Sequence, residues 1–298
     1  MKKPYPKTIV IMGPTASGKS DLAILLARKY DGEIISADSR QVYRGMDIGT
    51  GKVTKAEQKM ARHHLIDVAS PKRSYNVTHF VRDARRAVAE IKKRGKTPIF
   101  CGGTGFWMQA LVENNSFPAV KPNPTLRKKL EKLSAEKLFV ELQQKDPQRA
   151  ETIDAKNKVR LIRALEIIET LGKVPSMSHE VRDMSHDYLI LVLNPDKEIL
   201  HRNITTRLEK RFKRGMVAEV KRLRAEGLSW KKLEGFGLEY RYVALFLQKK
   251  ITKEEMKERL EFEIRHYAKR QLTWLRRFEK QGASIHWITD PKEATKNF

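Results

Sequence analysis

Residues 13–20 read GPTASGKS, a G-x-x-x-x-G-K-[ST] pattern set between the apolar run TIVIM (Thr8–Met12) and the segment SDLAILLARKY (Ser20–Tyr30). The run is short, rich in β-branched residues and stopped by a glycine, so it reads as a buried strand, whereas SDLAILLARKY spaces its apolar residues as a helix does. Strand, glycine-rich loop and helix form the context in which this pattern cradles phosphate. The loop Gly13, Pro14, Thr15, Ala16, Ser17, Gly18 lets backbone N–H groups converge on phosphate oxygens. The helix start adds the positive end of its dipole, Lys19 neutralises charge, and Ser20 can ligate a magnesium ion. A diphosphate ester and a nucleoside triphosphate present similar oxygens to such a loop, so the pattern alone does not choose between them.

Working outward, Glu33–Ala37 (EIISA) and Thr97–Cys101 (TPIFC) predict two further strands. An amphipathic helix fits Val77–Arg94 between them, closed by Gly95. Strands alternating with helices predict a parallel sheet. A proline-rich stretch, Phe117–Pro124 (FPAVKPNP), opens a helical, charge-balanced segment before Tyr188–Leu193 (YLILVL) returns to strand character. The chain beyond Pro195 is mostly helical. It ends in a long helix opened by the capping box Thr252–Glu255 (TKEE) and stopped near Gly282, with a last strand at Ser284–Ile288. The expected architecture is α/β: a P-loop NTPase-like parallel sheet with flanking helices over 1–118 and 187–298, carrying a helical insertion domain at 119–186.

The 298 residues can bury a substantial core. No apolar run approaches the length of a membrane helix, and Lys2 and Lys3 are not followed by a signal-peptide stretch, so the expectation is a soluble, cytoplasmic protein without a membrane partner. A single cysteine, Cys101, excludes an intramolecular disulfide and a thiol-rich zinc site. Lys and Arg number 61 against 36 Asp and Glu, a formal net charge of +25 that favours a polyanionic partner such as nucleic acid. Residues 119–199 are nearly balanced, with 15 basic and 13 acidic side chains. The excess lies in 1–118, with 21 against 10, and in 200–280, with 23 against 11.

The strand EIISA delivers Asp38, followed by Ser39, Arg40 and Gln41, to the carboxyl edge of the sheet, where ligands of open α/β folds bind and where the phosphate loop also opens. A carboxylate there can hold magnesium through water, can act as general base toward a nucleophile, or can simply cap the turn that follows.

GPTASGKS, then ISADSRQVYRGMDIGTGK (Ile35–Lys52), HHLIDV (His63–Val68) and GGTG (Gly102–Gly105) occur in one order, and together they resemble the tRNA dimethylallyltransferase family. Similarity continues through RLIRALE (Arg160–Glu166), RLEKRFKRGM (Arg207–Met216) and YAKRQLTWLR (Tyr267–Arg276), nearly the whole chain. The resemblance implies transfer of a dimethylallyl group from dimethylallyl diphosphate to N6 of adenosine 37, beside the anticodon of tRNAs that read codons beginning with U. It implies Mg2+ as cofactor, bound at Ser20, and the anticodon stem-loop of tRNA as partner, with no obligate protein partner.

By the same resemblance, Asp38, Lys19, Ser20 and Arg211 form the catalytic set, with Arg207 one helical turn earlier as the competitor of Arg211. Asp38, Ser39, Arg40 and Gln41 meet the flipped base and its backbone, and Thr104 touches the RNA. Val159, Arg160, Leu161, Ile162 and Arg163 are also assigned to tRNA contact, in a segment where Lys156, Lys158, Arg160 and Arg163 crowd a helix start against its dipole. Thr104 also fits an ordinary N-cap, and the basic segment a solvated face. On the terminal helix, Tyr267, Gln271, Trp274 and Phe278 share a face that is expected to be core. The neighbouring His63 and His64 point apart in a strand and are expected to be structural.

The sequence departs from the family pattern at Ser20, where threonine is common, at Trp107, where tyrosine is usual, and at GFGLEYR (Gly235–Arg241). Two rival readings remain open: a small-molecule or nucleotide kinase, which leaves the charge and DSRQVY unexplained, and a non-catalytic RNA-binding module.

Overall fold

The computed structural model describes residues 8–113, 117–118, 120–175, 188–292 and 294. The chain divides into two compact units, Met1–Glu113 with Val181–Phe298, and Asn114–Glu180. The first opens with β1 (Ile9–Met12), α1 (Lys19–Lys29), β2 (Gly32–Ser36), α2 (Lys55–Met60), β3 (His63–His64), α3 (Val77–Lys93), β4 (Thr97–Cys101) and α4 (Gly105–Val112). The second unit holds α5 (Pro124–Leu130), α6 (Ala135–Lys145), α7 (Pro147–Thr152) and α8 (Lys158–Leu171). The first unit then resumes with β5 (Leu189–Leu193), α9 (Lys197–Lys213), α10 (Met216–Ala225), α11 (Trp230–Gly235), α12 (Leu238–Leu247), α13 (Lys253–Lys280) and β6 (Ile285–Ile288).

The strands of the first unit form a parallel sheet in the order β3-β2-β4-β1-β5-β6. β1 lies inside it, with Val10 paired to Phe100 on one side and to Ile190 on the other. Helices cover both faces of such a sheet, which explains why every residue of IVIM is buried rather than every second one. Ile9, Ile11, Leu22, Leu26, Ile34, Ile99, Leu191 and Ile288 pack together as its core. α3 turns Phe80, Val81, Ala84, Ala87 and Ile91 inward and begins at Asn76, whose side chain forms a capping box with His79. The expected capping box of Thr252 and Glu255 opens α13.

α13 buries Met256, Leu260, Ile264, Ala268, Gln271, Leu275 and Phe278, a stripe at three- and four-residue spacing. The expectation of an aromatic core there holds only in part. Phe278 is buried, Trp274 is half-buried and stacks on it with centroids 5.2 Å apart, and Tyr267 lies at the edge of the stripe, 36% exposed. His63 and His64 do point apart: Nδ1 of His63 is 2.7 Å from the Ala61 carbonyl, and Nε2 of His64 is 2.6 Å from Glu33.

The second unit has its own core, with Leu130, Leu138, Leu142, Leu161, Leu165 and Ile168 packed together. Glu166, 1% exposed, accepts the backbone N–H of Asn123 at 2.8 Å and both Nε and Nη2 of Arg127 at 2.6 Å. Burial works against its carboxylate, but the Arg127 guanidinium and the Asn123 N–H outweigh that and hold it below the usual carboxylate range. No helix among the described residues is long and apolar enough to cross a membrane.

Candidate active site

The carboxyl ends of β1, β2 and β4 lie side by side, and the loops leaving them carry the residues of interest. After β1 the phosphate loop runs to Gly18, which caps α1 in the left-handed region. Nζ of Lys19 folds back onto the Pro14 carbonyl at 2.5 Å. Burial pushes its ammonium down to about 8; Arg207 adds to that shift, while Cys101 and Asp38 oppose it. Oγ of Ser17 is buried with no hydrogen-bond partner, a donor suited to a phosphate oxygen. Burial pushes the Cys101 thiol, at the end of β4, up to about 12, so it stays protonated and is no nucleophile.

After β2, Oδ1 of Asp38 accepts the backbone N–H of Arg40 at 2.8 Å and of Gln41 at 3.3 Å. The carboxylate therefore does cap its turn, and it does so through one oxygen. Arg40 lies over the Phe236 ring, 6.0 Å from its centroid, and Nε2 of Gln41 reaches the Gly51 carbonyl at 3.4 Å. Thr104 occupies the N-cap position of α4, yet its hydroxyl makes no cap hydrogen bond there. Its Oγ1 instead accepts the backbone N–H of Ser39 at 3.1 Å, joining the loop after β4 to the loop after β2.

A third loop, Met46–Lys52, is held from outside the sheet by Glu219 of α10. This buried carboxylate accepts the backbone N–H groups of Asp47 at 2.8 Å, Ile48 at 2.7 Å and Gly49 at 3.0 Å, and the Tyr240 hydroxyl at 2.7 Å. The loop presents the Gly51 carbonyl to Nη2 of Arg207 at 3.2 Å, while Nη1 of Arg207 reaches Oγ1 of Thr15 at 3.4 Å. Gly51 has φ +61°, and a Cβ there would run into the guanidiniums of both Arg207 and Arg211. Burial, reinforced by Arg211, pushes Arg207 down to about 10.

The family resemblance places Arg211 on the diphosphate, with Arg207 as its competitor. In the structure Arg207 is the one bonded to the phosphate loop, and Arg211, 7% exposed, stands one turn on with Nη1 2.6 Å from Glu239 and a buried, unpartnered Nε.

Sequence reasoning missed two residues of this neighbourhood. Gln271 accepts the Thr15 N–H at 2.8 Å and donates to the Gly103 carbonyl at 2.9 Å. Its one signal was a polar side chain inside an otherwise apolar stripe. Glu219 gave no signal, because the loop it holds lies about 170 residues earlier in the chain.

In the second unit, the predicted RNA-contacting segment starts α8 behind the Asn157 cap. Val159, 78% exposed, and Arg160 face outward, Leu161 and Ile162 are buried, and the Arg163 guanidinium is engaged by Glu166 and the Val120 carbonyl. Among the described residues, no group of three or more His, Cys, Asp or Glu gathers to hold a metal unaided.

A family model described as IPP transferase matches residues 41–278. A protein named tRNA dimethylallyltransferase 1 from Geotalea uraniireducens is 41% identical over 281 residues, covering 94% of this chain and 91% of its own length. One named tRNA dimethylallyltransferase 2 from Bacteroides fragilis is 41% identical over 303 residues, covering 100% and 97%. Among solved structures, the tRNA isopentenylpyrophosphate transferase of Bacillus halodurans superposes with a TM-score of 0.69 at 33% identity, over 95% of this chain and 89% of that one. A eukaryotic dimethylallyltransferase acting on tRNA gives 0.79 at 29% identity, over 96% and 74%.

Proposed function

The chain belongs to the IPP transferase family and acts as a tRNA dimethylallyltransferase, and from that premise we propose how its own residues carry out the transfer. The donor is dimethylallyl diphosphate, its diphosphate seated in Gly13–Ser20. Loop amides, the Ser17 hydroxyl and Lys19 meet the phosphate oxygens, and Arg207 with Arg211 beside it approaches from α9. The acceptor is N6 of adenosine 37, turned out of the anticodon loop into the space lined by Asp38, Ser39, Arg40, Gln41 and Thr104, because an enzyme cannot reach a base while it is stacked. Val159, Arg160 and Arg163 with the buried Leu161 and Ile162 behind them form a second contact with the tRNA.

The adenine amine is a poor nucleophile, since its lone pair is delocalised into the ring. As N6 bonds to C1 of the allyl group, the C1–O bond to diphosphate breaks and the N6 proton passes to Asp38 at Oδ2, the oxygen not used in the turn. Negative charge builds on the departing diphosphate where Lys19 and the loop amides lie.

Ser20, directly after Lys19 at the start of α1, would offer its hydroxyl to Mg2+, a hard oxygen ligand of the kind the ion takes alongside diphosphate oxygens. When bound, the ion neutralises charge on the leaving group. The reaction belongs in the cytoplasm, where tRNA is available.

The single observation that carries this reading is Arg207, which touches the phosphate loop through Thr15 and the loop bearing Gly51 at once. The test is incubation with unmodified tRNA, dimethylallyl diphosphate labelled in the prenyl group, and Mg2+. Label entering the RNA is the expected result; phosphate transfer from ATP without labelled RNA overturns it in favour of a kinase, and RNA binding with neither reaction in favour of a binding module.

A further inference from the structure

We propose that Gln271 is a positioning residue that fixes the distance between the donor-holding loop and the acceptor-holding loop. The inference rests on the prenyl-transfer reading above. The side chain leaves α13 within its buried stripe, 9% exposed, and both ends of its amide are used. Oε1 accepts the backbone N–H of Thr15, in the phosphate loop, at 2.8 Å. Nε2 donates to the Gly103 carbonyl, in the loop after β4, at 2.9 Å. The next residue of that loop, Thr104, holds Ser39 through its hydroxyl, and Ser39 follows Asp38 directly. A continuous path therefore runs from the diphosphate cradle through Gln271, Gly103 and Thr104 to the residue beside the proposed base.

The neighbourhood is built around this amide. A Cβ on Gly103 would run into Nε2 of Gln271, so the glycine lets the backbone approach the amide closely. Gln271 does not touch the reacting atoms. Its part is to set the separation of donor carbon and acceptor nitrogen, and misplacement by about 1 Å can cost on the order of a hundredfold in rate.

The chemistry of the bridge gives a test that a merely space-filling residue would not pass. The bridge needs one acceptor and one donor on a planar group. A glutamate at this position has the same shape; ionised, it accepts from Thr15 but faces the Gly103 carbonyl with a lone pair, whereas protonated it accepts and donates as the amide does. Burial raises a carboxyl pKa, so the protonated form is reached in mildly acidic buffer. Prenyl transfer by wild type and Gln271→Glu is measured at saturating donor and tRNA from pH 6 to pH 9, and the ratio of the two kcat values is read. An ionised glutamate beside the phosphate loop also repels the diphosphate, so the uncharged Gln271→Met is measured alongside it.

The expected ratio is about 0.1 or lower at pH 9 and rises at least fivefold by pH 6. A ratio that is flat with pH, whether near one or low, overturns the inference. Gln271→Met keeps the volume, adds no charge and deletes both hydrogen bonds. It is expected to lower kcat at least tenfold with the KM for donor and tRNA changed less than threefold, and an unchanged kcat overturns the inference. A wild type that transfers no prenyl group removes the reading and this inference together, whereas an active wild type with a flat ratio removes this inference alone.

Discussion

Oδ1 of Asp38 accepts the backbone N–H of Arg40 at 2.8 Å, so the proposed general base is also the cap of its own turn. The two duties are separable by substitution. Asparagine keeps a carbonyl oxygen in the same place and preserves the turn, but it cannot take a proton. Asp38→Asn is expected to leave the melting temperature within a few degrees of wild type and tRNA affinity within about threefold, while kcat falls roughly 10²–10⁴-fold, the usual share of a general base. Asp38→Ala loses the cap as well and is expected to lower both turnover and stability. An asparagine variant that keeps more than a tenth of wild-type turnover counts against proton transfer to this residue.

Lys19 sets the pH dependence of donor binding. Its ammonium is pushed down to about 8, chiefly by burial, so it is charged below that pH and neutral above it. A bound diphosphate favours the charged form, so affinity contributed by Lys19 is full below about pH 8 and is lost as the pH rises past it. Arginine does not deprotonate in this range. Titration calorimetry with inorganic pyrophosphate should give a ratio of wild-type to Lys19→Arg affinity that is constant from pH 6 to 7 and declines from pH 8 to 9.5. A ratio that stays level across the whole range means the lysine keeps its proton.

Arg207 and Arg211 are expected to separate in steady-state prenyl-transfer kinetics. Arg207 is bonded to Thr15 and Gly51, and Arg211 to Glu239. Arg207→Gln should raise the KM for dimethylallyl diphosphate ten- to a hundredfold with little change in stability. Arg211→Gln strands Glu239, whose side chain is 20% exposed, and should cost about 1–3 kcal/mol in denaturant unfolding together with a smaller rise in KM. The reverse order of KM effects would hand the larger share of the diphosphate to Arg211.

Glu219 anchors the loop that carries Gly51. Removing its carboxylate leaves the backbone N–H groups of Asp47, Ile48 and Gly49 and the Tyr240 hydroxyl without their acceptor. Glu219→Ala is therefore expected to lower unfolding stability by about 3–5 kcal/mol, since each buried donor without a partner costs roughly 1–3 kcal/mol and part of the loop can turn to water. Tyr240→Phe, which removes one of the four donors, should cost about 1 kcal/mol. Equal losses in the two variants would mean that the loop amides find other acceptors.

The parts of this site that were legible in the sequence are those made by neighbours in the chain. The change from β-branched run to helical spacing around Gly13–Ser20 marks β1, the loop and α1, and EIISA marks the strand that carries Asp38. The capping box at Thr252 was equally plain, since Glu255 lies three residues on. What was not legible depends on the packing of distant segments. Tyr267 shares helical spacing with Phe278, but at its end of α13 the buried stripe runs through Ile264 and Ala268, which leaves the tyrosine at the edge. The choice between Arg207 and Arg211 turns on which side of α9 meets the phosphate loop. Spacing along the chain does not report that.

The separations behind these contacts carry a consequence for synthesis. Thr15 is joined to Arg207 across 192 positions and to Gln271 across 256, and β1 takes β5 as a sheet neighbour only after the intervening unit has been made. A ribosome that has translated the diphosphate cradle has thus produced an incomplete pocket. Prematurely terminated products lacking α13 lack Gln271 and its bond to Thr15, and should hold the isoprenoid donor more weakly than the whole protein does.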